Sequence, residues 1–136
     1  MEMITLLDME TIRYKNNGQE AERRFRFTLT GEDCKADNIP ANKGCDLGNI
    51  SIKSARASVC RGTDIDEHLR KDCAERFAYV TKGFTRAYIM ERAKYKEFVE
   101  LFSTVGHESK KNGGGLKLRL KDEPRAMLEW LEAQMV

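Results

Sequence analysis

At 136 residues, 40% hydrophobic and 34% charged with only 2 prolines, the chain has the length and composition of one globular domain, which excludes a disordered, collagenous or low-complexity protein. Its 24 basic and 22 acidic residues leave a net charge of +2, so no global field marks an obligate nucleic-acid binder and any basic surface must be local. No apolar run approaches the roughly 20 residues of a bilayer span, and Met1 to Asp8 carries acids where a secretory signal would carry Lys or Arg, so a cytoplasmic protein without a membrane partner is expected.

Residues Ile4 to Tyr14 fit a helix or a strand equally well and end in the polar turn Asn16-Asn17-Gly18. The next segment is ambiguous too: Ala21, Phe25 and Leu29 recur at helical spacing, while Phe25, Phe27 and Leu29 alternate as in a strand. The Asn17-x-x-Glu20 capping box favours a helix. Gly31 to Gly44 is polar and turn-rich, as a long loop would be. From Asp46 to Cys60 the composition predicts a strand with a turn or bulge near Gly48, central from Asn49 to Val59. Alternation along it turns Ile50 and Ile52 one way and Asn49, Ser51 and Lys53 the other. Asp64 then caps a helix in which Ile65, Leu69 and Cys73 recur every four residues, ending near Arg76.

Strands follow at Phe77 to Thr81 and Arg86 to Met90, joined through Lys82-Gly83 as a hairpin. Tyr95, Phe98, Val99 and Phe102 give a further helix its apolar face, so these aromatics belong to a core. The tail passes from the loop Lys110 to Gly115 into a strand marked by Leu116, Leu118 and Leu120, then into a helix capped at Asp122 with Pro124 in its first turn. The sum is an α/β or α+β domain with a sheet of four to five strands. Cys34, Cys45, Cys60 and Cys73 are scattered without a Cys-x-x-Cys pair and are expected to be reduced and mostly buried, in preference to a zinc site completed by His68 or His107.

No phosphate-binding glycine loop, nucleophile elbow, zinc-protease helix or calcium loop is present, which removes several large enzyme classes. The stretch Lys43-Gly44-Cys45-Asp46-Leu47-Gly48-Asn49-Ile50-Ser51-Ile52-Lys53-Ser54 remains. An acid followed by polar-x-Lys on a strand resembles the PD-(D/E)XK, or restriction-endonuclease-like, nuclease superfamily. The resemblance covers this motif and the order of elements around it. It implies a Mg²⁺- or Mn²⁺-dependent DNA endonuclease with Asp46 as first metal ligand, Ser51 at the second acidic position and Lys53 as catalytic lysine. Such an enzyme would be of phage, mobile-element or defence origin. Phosphodiester cleavage needs a hard cation held by carboxylate oxygens, and a lysine beside it adds positive charge where the transition state needs it.

Ser51 stands where the family carries a carboxylate, and Asp46 is unusually close to it. Some members with Ser-x-Lys take the missing acid from the following helix, with thirteen residues between; here that count from Lys53 reaches Glu67. The family's glutamate from an N-terminal helix would be Glu20 or Glu22. Plainer roles exist for each residue: Asp46 as a turn acid, Lys53 as a solvated strand lysine, and Glu67 and Glu20 as capping-box partners of Asp64 and Asn17.

In the tail, Lys110, Lys111, Lys117, Arg119 and Lys121 form a run without an acid around a triple glycine, suited to phosphate contacts or to a solvated hairpin or lysine-blunted edge strand. The alternatives to a nuclease are a non-catalytic nucleic-acid-binding module and a small phage-type inhibitor that works on a protein partner. Symmetric double-strand cutting would require a homodimer.

Overall fold

The structure is a computed structural model, and residues 1–10, 17–33, 45–54, 58–61, 65–107, 116–120 and 122–135 are described. In chain order the elements are β1 (Glu2–Thr5), α1 (Asn17–Thr30), β2 (Ile50–Ser54), β3 (Ser58–Arg61), α2 (Ile65–Lys71), β4 (Arg76–Val80), β5 (Arg86–Glu91), α3 (Arg92–Phe102), β6 (Ser103–His107), β7 (Leu116–Leu120) and α4 (Arg125–Ala133). The class is α/β. A mixed sheet in the order β1-β5-β4-β2 is flanked by helices, and a second, antiparallel sheet has the order β3-β7-β6.

The mixed sheet grows from the β4–β5 hairpin. Ala78, Tyr79, Ala87 and Tyr88 are buried on both of its faces, as expected for inner strands with helices on either side. Thr81 closes the hairpin by accepting from Phe84 N at 2.9 Å and donating to Arg86 O at 3.0 Å. Phe84 takes the left-handed position of the turn (φ 56°), where its ring packs on the α1-side core and lies 5.1 Å beneath the Arg24 guanidinium. β1 adds antiparallel to β5, and β2 adds parallel to β4 through a crossover that contains α2.

Two cores lie on the two faces. Ala21 and Phe25 of α1 pack on Ile50, Ile52, Ala78, Val80, Ala87 and Ile89. On the other face Phe77, Tyr79, Tyr88 and Met90 meet Tyr95, Phe98 and Val99 of α3 and Met127 and Leu131 of α4. The helical readings of α1 and α3 and the hairpin therefore hold, as does the turn at Gly48 (φ 54°).

Several expectations are corrected. Asn49 to Val59 is not one central strand: β2 is the edge of its sheet and stops at Ser54, opposite Val80, where β4 enters its hairpin. The chain then joins the second sheet as β3, paired with β7. The expected sheet of four to five strands is present as the four-stranded mixed sheet, and among the described residues a second sheet of three strands is added to it, which the sequence did not suggest. α2 ends at Lys71, not near Arg76, because Asp72 folds its carboxylate back on the chain and Oδ1 accepts from Ala74 N at 3.0 Å.

Asp122 does not cap α4; Pro124 precedes the helix, and both Asp122 and Glu123 have positive φ (71° and 53°). Glu123 Oε2 accepts from Tyr79 Oη and from Lys82 N, each at 2.6 Å, which holds the segment in that conformation against the hairpin. β7 is the middle strand of its sheet, so its basic residues do not guard an edge. Cys45 is half-buried and Cys73 exposed, so the expectation of mostly buried thiols fails for both. Cys34 and Asp64 lie outside the described residues.

Candidate functional site around Lys53 and Asp72

The alternation of β2 aims Ile50 and Ile52 into the α1-side core and leaves Ser51 and Lys53 for the opposite face, as the sequence predicts. There they stand beside Phe77 and Tyr79, their register partners in β4. The end of α2 comes down on this face and delivers Asp72, whose Oδ2 lies 3.3 Å from Ser51 Oγ and 3.4 Å from Lys53 Nζ. The Lys53 and Asp72 side chains are 14% and 11% exposed. Lys53 is thus a mostly buried, paired cation and not the solvated strand lysine of the plainer reading.

Asp46 precedes the tight turn at Gly48, where its N donates to Ile50 O at 2.9 Å and its Oδ2 accepts from Ile52 N at 2.7 Å. It fixes the approach to β2 as a turn acid. The surrounding field is acidic: burial first, and then Asp72, Asp46, Cys73 and Glu75, push the Cys45 thiol above its usual range.

The remaining candidates are distributed. Glu22 lies 3.7 Å from Arg26, whose Nε donates to the Asp46 carbonyl at 3.0 Å, so α1 touches the Asp46 turn through that arginine. Glu20 is buried on the α1 face, across the sheet from Lys53, with Oε1 accepting from Arg23 at 3.1 Å and Arg24 at 2.8 Å. Glu67 is half-buried in the first turn of α2. The acid that reaches Ser51 and Lys53 is Asp72, five residues further on. Lys117 and Arg119 occupy β7 opposite Arg61 and Ser58 of β3, while Lys110 and Lys111 lie outside the described residues. Among the described residues no group of three or more His, Cys, Asp or Glu side chains is gathered as a metal site.

Two further residues frame the pair: Arg92, which the sequence did not single out, and His68, which it offered only as a zinc ligand. Arg92, the first residue of α3, donates through Nη1 to the carbonyls of Asp72 (2.8 Å) and Ala74 (2.6 Å) and through Nη2 to that of Leu69. His68 is 3% exposed, with Nε2 3.0 Å from Tyr95 Oη. Its ring meets Phe77 and Tyr95 edge-on, and those two rings stack at 3.8 Å. Burial, and then the Lys53 charge, lower its pKa to about 4; Arg92 acts the same way, and Asp72 opposes them.

An acid-sensitivity follows. The unfolded His68 titrates near 6.5, so between pH 6.5 and about 4 the unfolded chain takes a proton that the folded one refuses, and folding weakens as pH falls through that window. Urea unfolding at pH 7, 5.5 and 4.5 should show wild type losing more stability on acidification than His68→Gln. Parallel losses would mean that His68 is not buried as a neutral ring.

No helix among the described residues is long and apolar enough to cross a membrane. No family model, curated protein or solved structure matches the chain.

Proposed function

We propose that the chain is a restriction-endonuclease-like DNA nuclease dependent on Mg²⁺ or Mn²⁺, of phage, mobile-element or defence origin. The observation that carries the reading is the Lys53–Asp72 pair on the helix-covered face of a mixed sheet, two residues along β2 from Ser51 and beside the Asp46 turn. Asp72 supplies the acid that Ser51 lacks, in place of Glu67. The donor set is oxygen-rich and suits a hard cation in chemistry, although among the described residues it is not gathered into a preformed cage. Asp46 and Asp72 are the residues that would hold the ion, with Glu22 or Glu67 as further donors. The ion would neutralise charge on the scissile phosphate.

Lys53 supplies a cation and a donor toward the transition-state oxygens or the attacking water, and Asp72 holds its ammonium in place. Lys117 and Arg119, with Lys110 and Lys111, contribute phosphate contacts.

Ser51 at the second acidic position favours one other reading, a non-catalytic nucleic-acid-binding module of the same fold. Incubation of the purified protein with plasmid and single-stranded DNA, with Mg²⁺ and separately with Mn²⁺, should give metal-dependent nicking. Calorimetry should show the ion binding more weakly to Asp72→Asn. Salt-sensitive DNA binding without nicking or metal binding would replace the nuclease with the non-catalytic module. Absence of DNA binding would leave a protein-directed inhibitor.

A further inference from the structure

Lys53 approaches a carboxylate that sits in a turn, and a turn is a poor support unless something fixes it. The last carbonyls of a helix have no partner within the helix. At the end of α2 the carbonyl of His68 accepts from Asp72 N at 2.9 Å, and those of Leu69, Asp72 and Ala74 all accept from the Arg92 guanidinium. Arg92 stands one residue beyond the β4–β5 ladder, which ends at Arg76↔Glu91, so its own backbone is anchored by the mixed sheet. Its guanidinium lies 5.9 Å from the centre of the Phe77 ring.

We infer that Arg92 is a positioning residue for Lys53, acting through Asp72. The chain of contacts is short. Arg92 holds the carbonyls of Asp72 and Ala74, and Ala74 N holds Asp72 Oδ1. Asp72 Oδ2 is thereby presented to Lys53 Nζ and Ser51 Oγ. A planar fork is what this task requires, because it can reach several carbonyls at fixed angles; a lysine keeps the charge but offers one rotatable ammonium. The inference takes the Lys53 site to be the functional one, yet its primary readout does not depend on cleavage.

The experiment compares wild type, Arg92→Lys, Asp72→Asn and the double variant by brief acetylation of amines. The Lys53 peptide is quantified by mass spectrometry against exposed Lys82 in the same molecule. Circular dichroism establishes that each protein is folded. Lys53 should be modified about tenfold faster in Arg92→Lys than in wild type, and the double variant should exceed Asp72→Asn by much less, as for residues that act in series.

In a folded Arg92→Lys, Lys53 labelling equal to wild type overturns the inference and leaves Arg92 a helix cap only. So do effects of the two substitutions that simply multiply. If Arg92→Lys does not fold, Arg92→Gln, which retains two amide hydrogens for the same carbonyls, is read by the same criteria. Where wild type cleaves DNA, Arg92→Lys should lower kcat with little change in KM. Wild type that does not cleave ends the nuclease reading without touching the labelling result.

Discussion

Lys53→Ala is expected to lower plasmid nicking by about 10²–10³-fold, the cost of deleting one donor to a developing oxyanion. Its effect on stability must be separated from this, because the Lys53 side chain is only 14% exposed and paired with Asp72 at 3.4 Å. Removing one member of a pair leaves the other charged and poorly solvated, so Lys53→Ala should also cost about 1–3 kcal/mol of folding stability. The Lys53→Ala/Asp72→Asn double variant should recover much of that stability and none of the cleavage. Lys53→Arg keeps the charge but cannot act as a base and brings a wider, planar head. Nicking of plasmid with Mg²⁺ and with Mn²⁺, together with urea unfolding, reads both quantities. Equal nicking by wild type, Lys53→Ala and Lys53→Arg would show that Lys53 has no part in the chemistry.

How far that site could be read from sequence depends on where its specificity resides. The direction of Lys53 was legible because strand alternation is local, and Ile50 and Ile52 mark the opposite face. The turn at Gly48 was legible for the same reason. Asp72 was not: it follows Arg70 and Lys71 in a charged stretch, beyond the last residue of α2, and its meaning comes from a contact with a strand 19 residues earlier. Counting residues from a family pattern pointed to Glu67, since such spacing assumes a helix of a particular length and phase. Arg92 was invisible because its partners are backbone carbonyls, which carry no sequence signature.

The fold divides in the same way. α1 was read from the Asn17-x-x-Glu20 capping box, because its apolar spacing fitted a strand as well; α3 was read from apolar spacing, and the β4–β5 hairpin from two short apolar runs around Lys82-Gly83. The second sheet was missed because β6 is only five residues long and starts immediately after Phe102, where α3 ends. Pairing between β3 and β7 is a long-range choice that local propensity does not encode.

Phe77→Ala is the substitution expected to cost most in stability, about 3–5 kcal/mol, the usual range for emptying a buried aromatic position. Phe77 is fully buried in β4, opposite Ser51 of β2 and Met90 of β5. It stacks on Tyr95 with centroids 3.8 Å apart, meets His68 edge-on, and lies near Arg92. Its ring is therefore the floor on which the end of α2 and the start of α3 rest, and no single neighbour can collapse into the space without leaving another contact. Phe77→Leu, which retains much of the volume, should cost far less, about 1–1.5 kcal/mol. The cavity should also admit water beside His68, raising its pKa from about 4 toward the ordinary value. Phe77→Ala would then lose less stability than wild type on acidification from pH 6.5 to 4.5, even though it is less stable at pH 7. Urea unfolding of the three proteins at both pH values measures every part of this. A loss below about 1 kcal/mol for Phe77→Ala at pH 7 would mean that α2 does not rest on this ring.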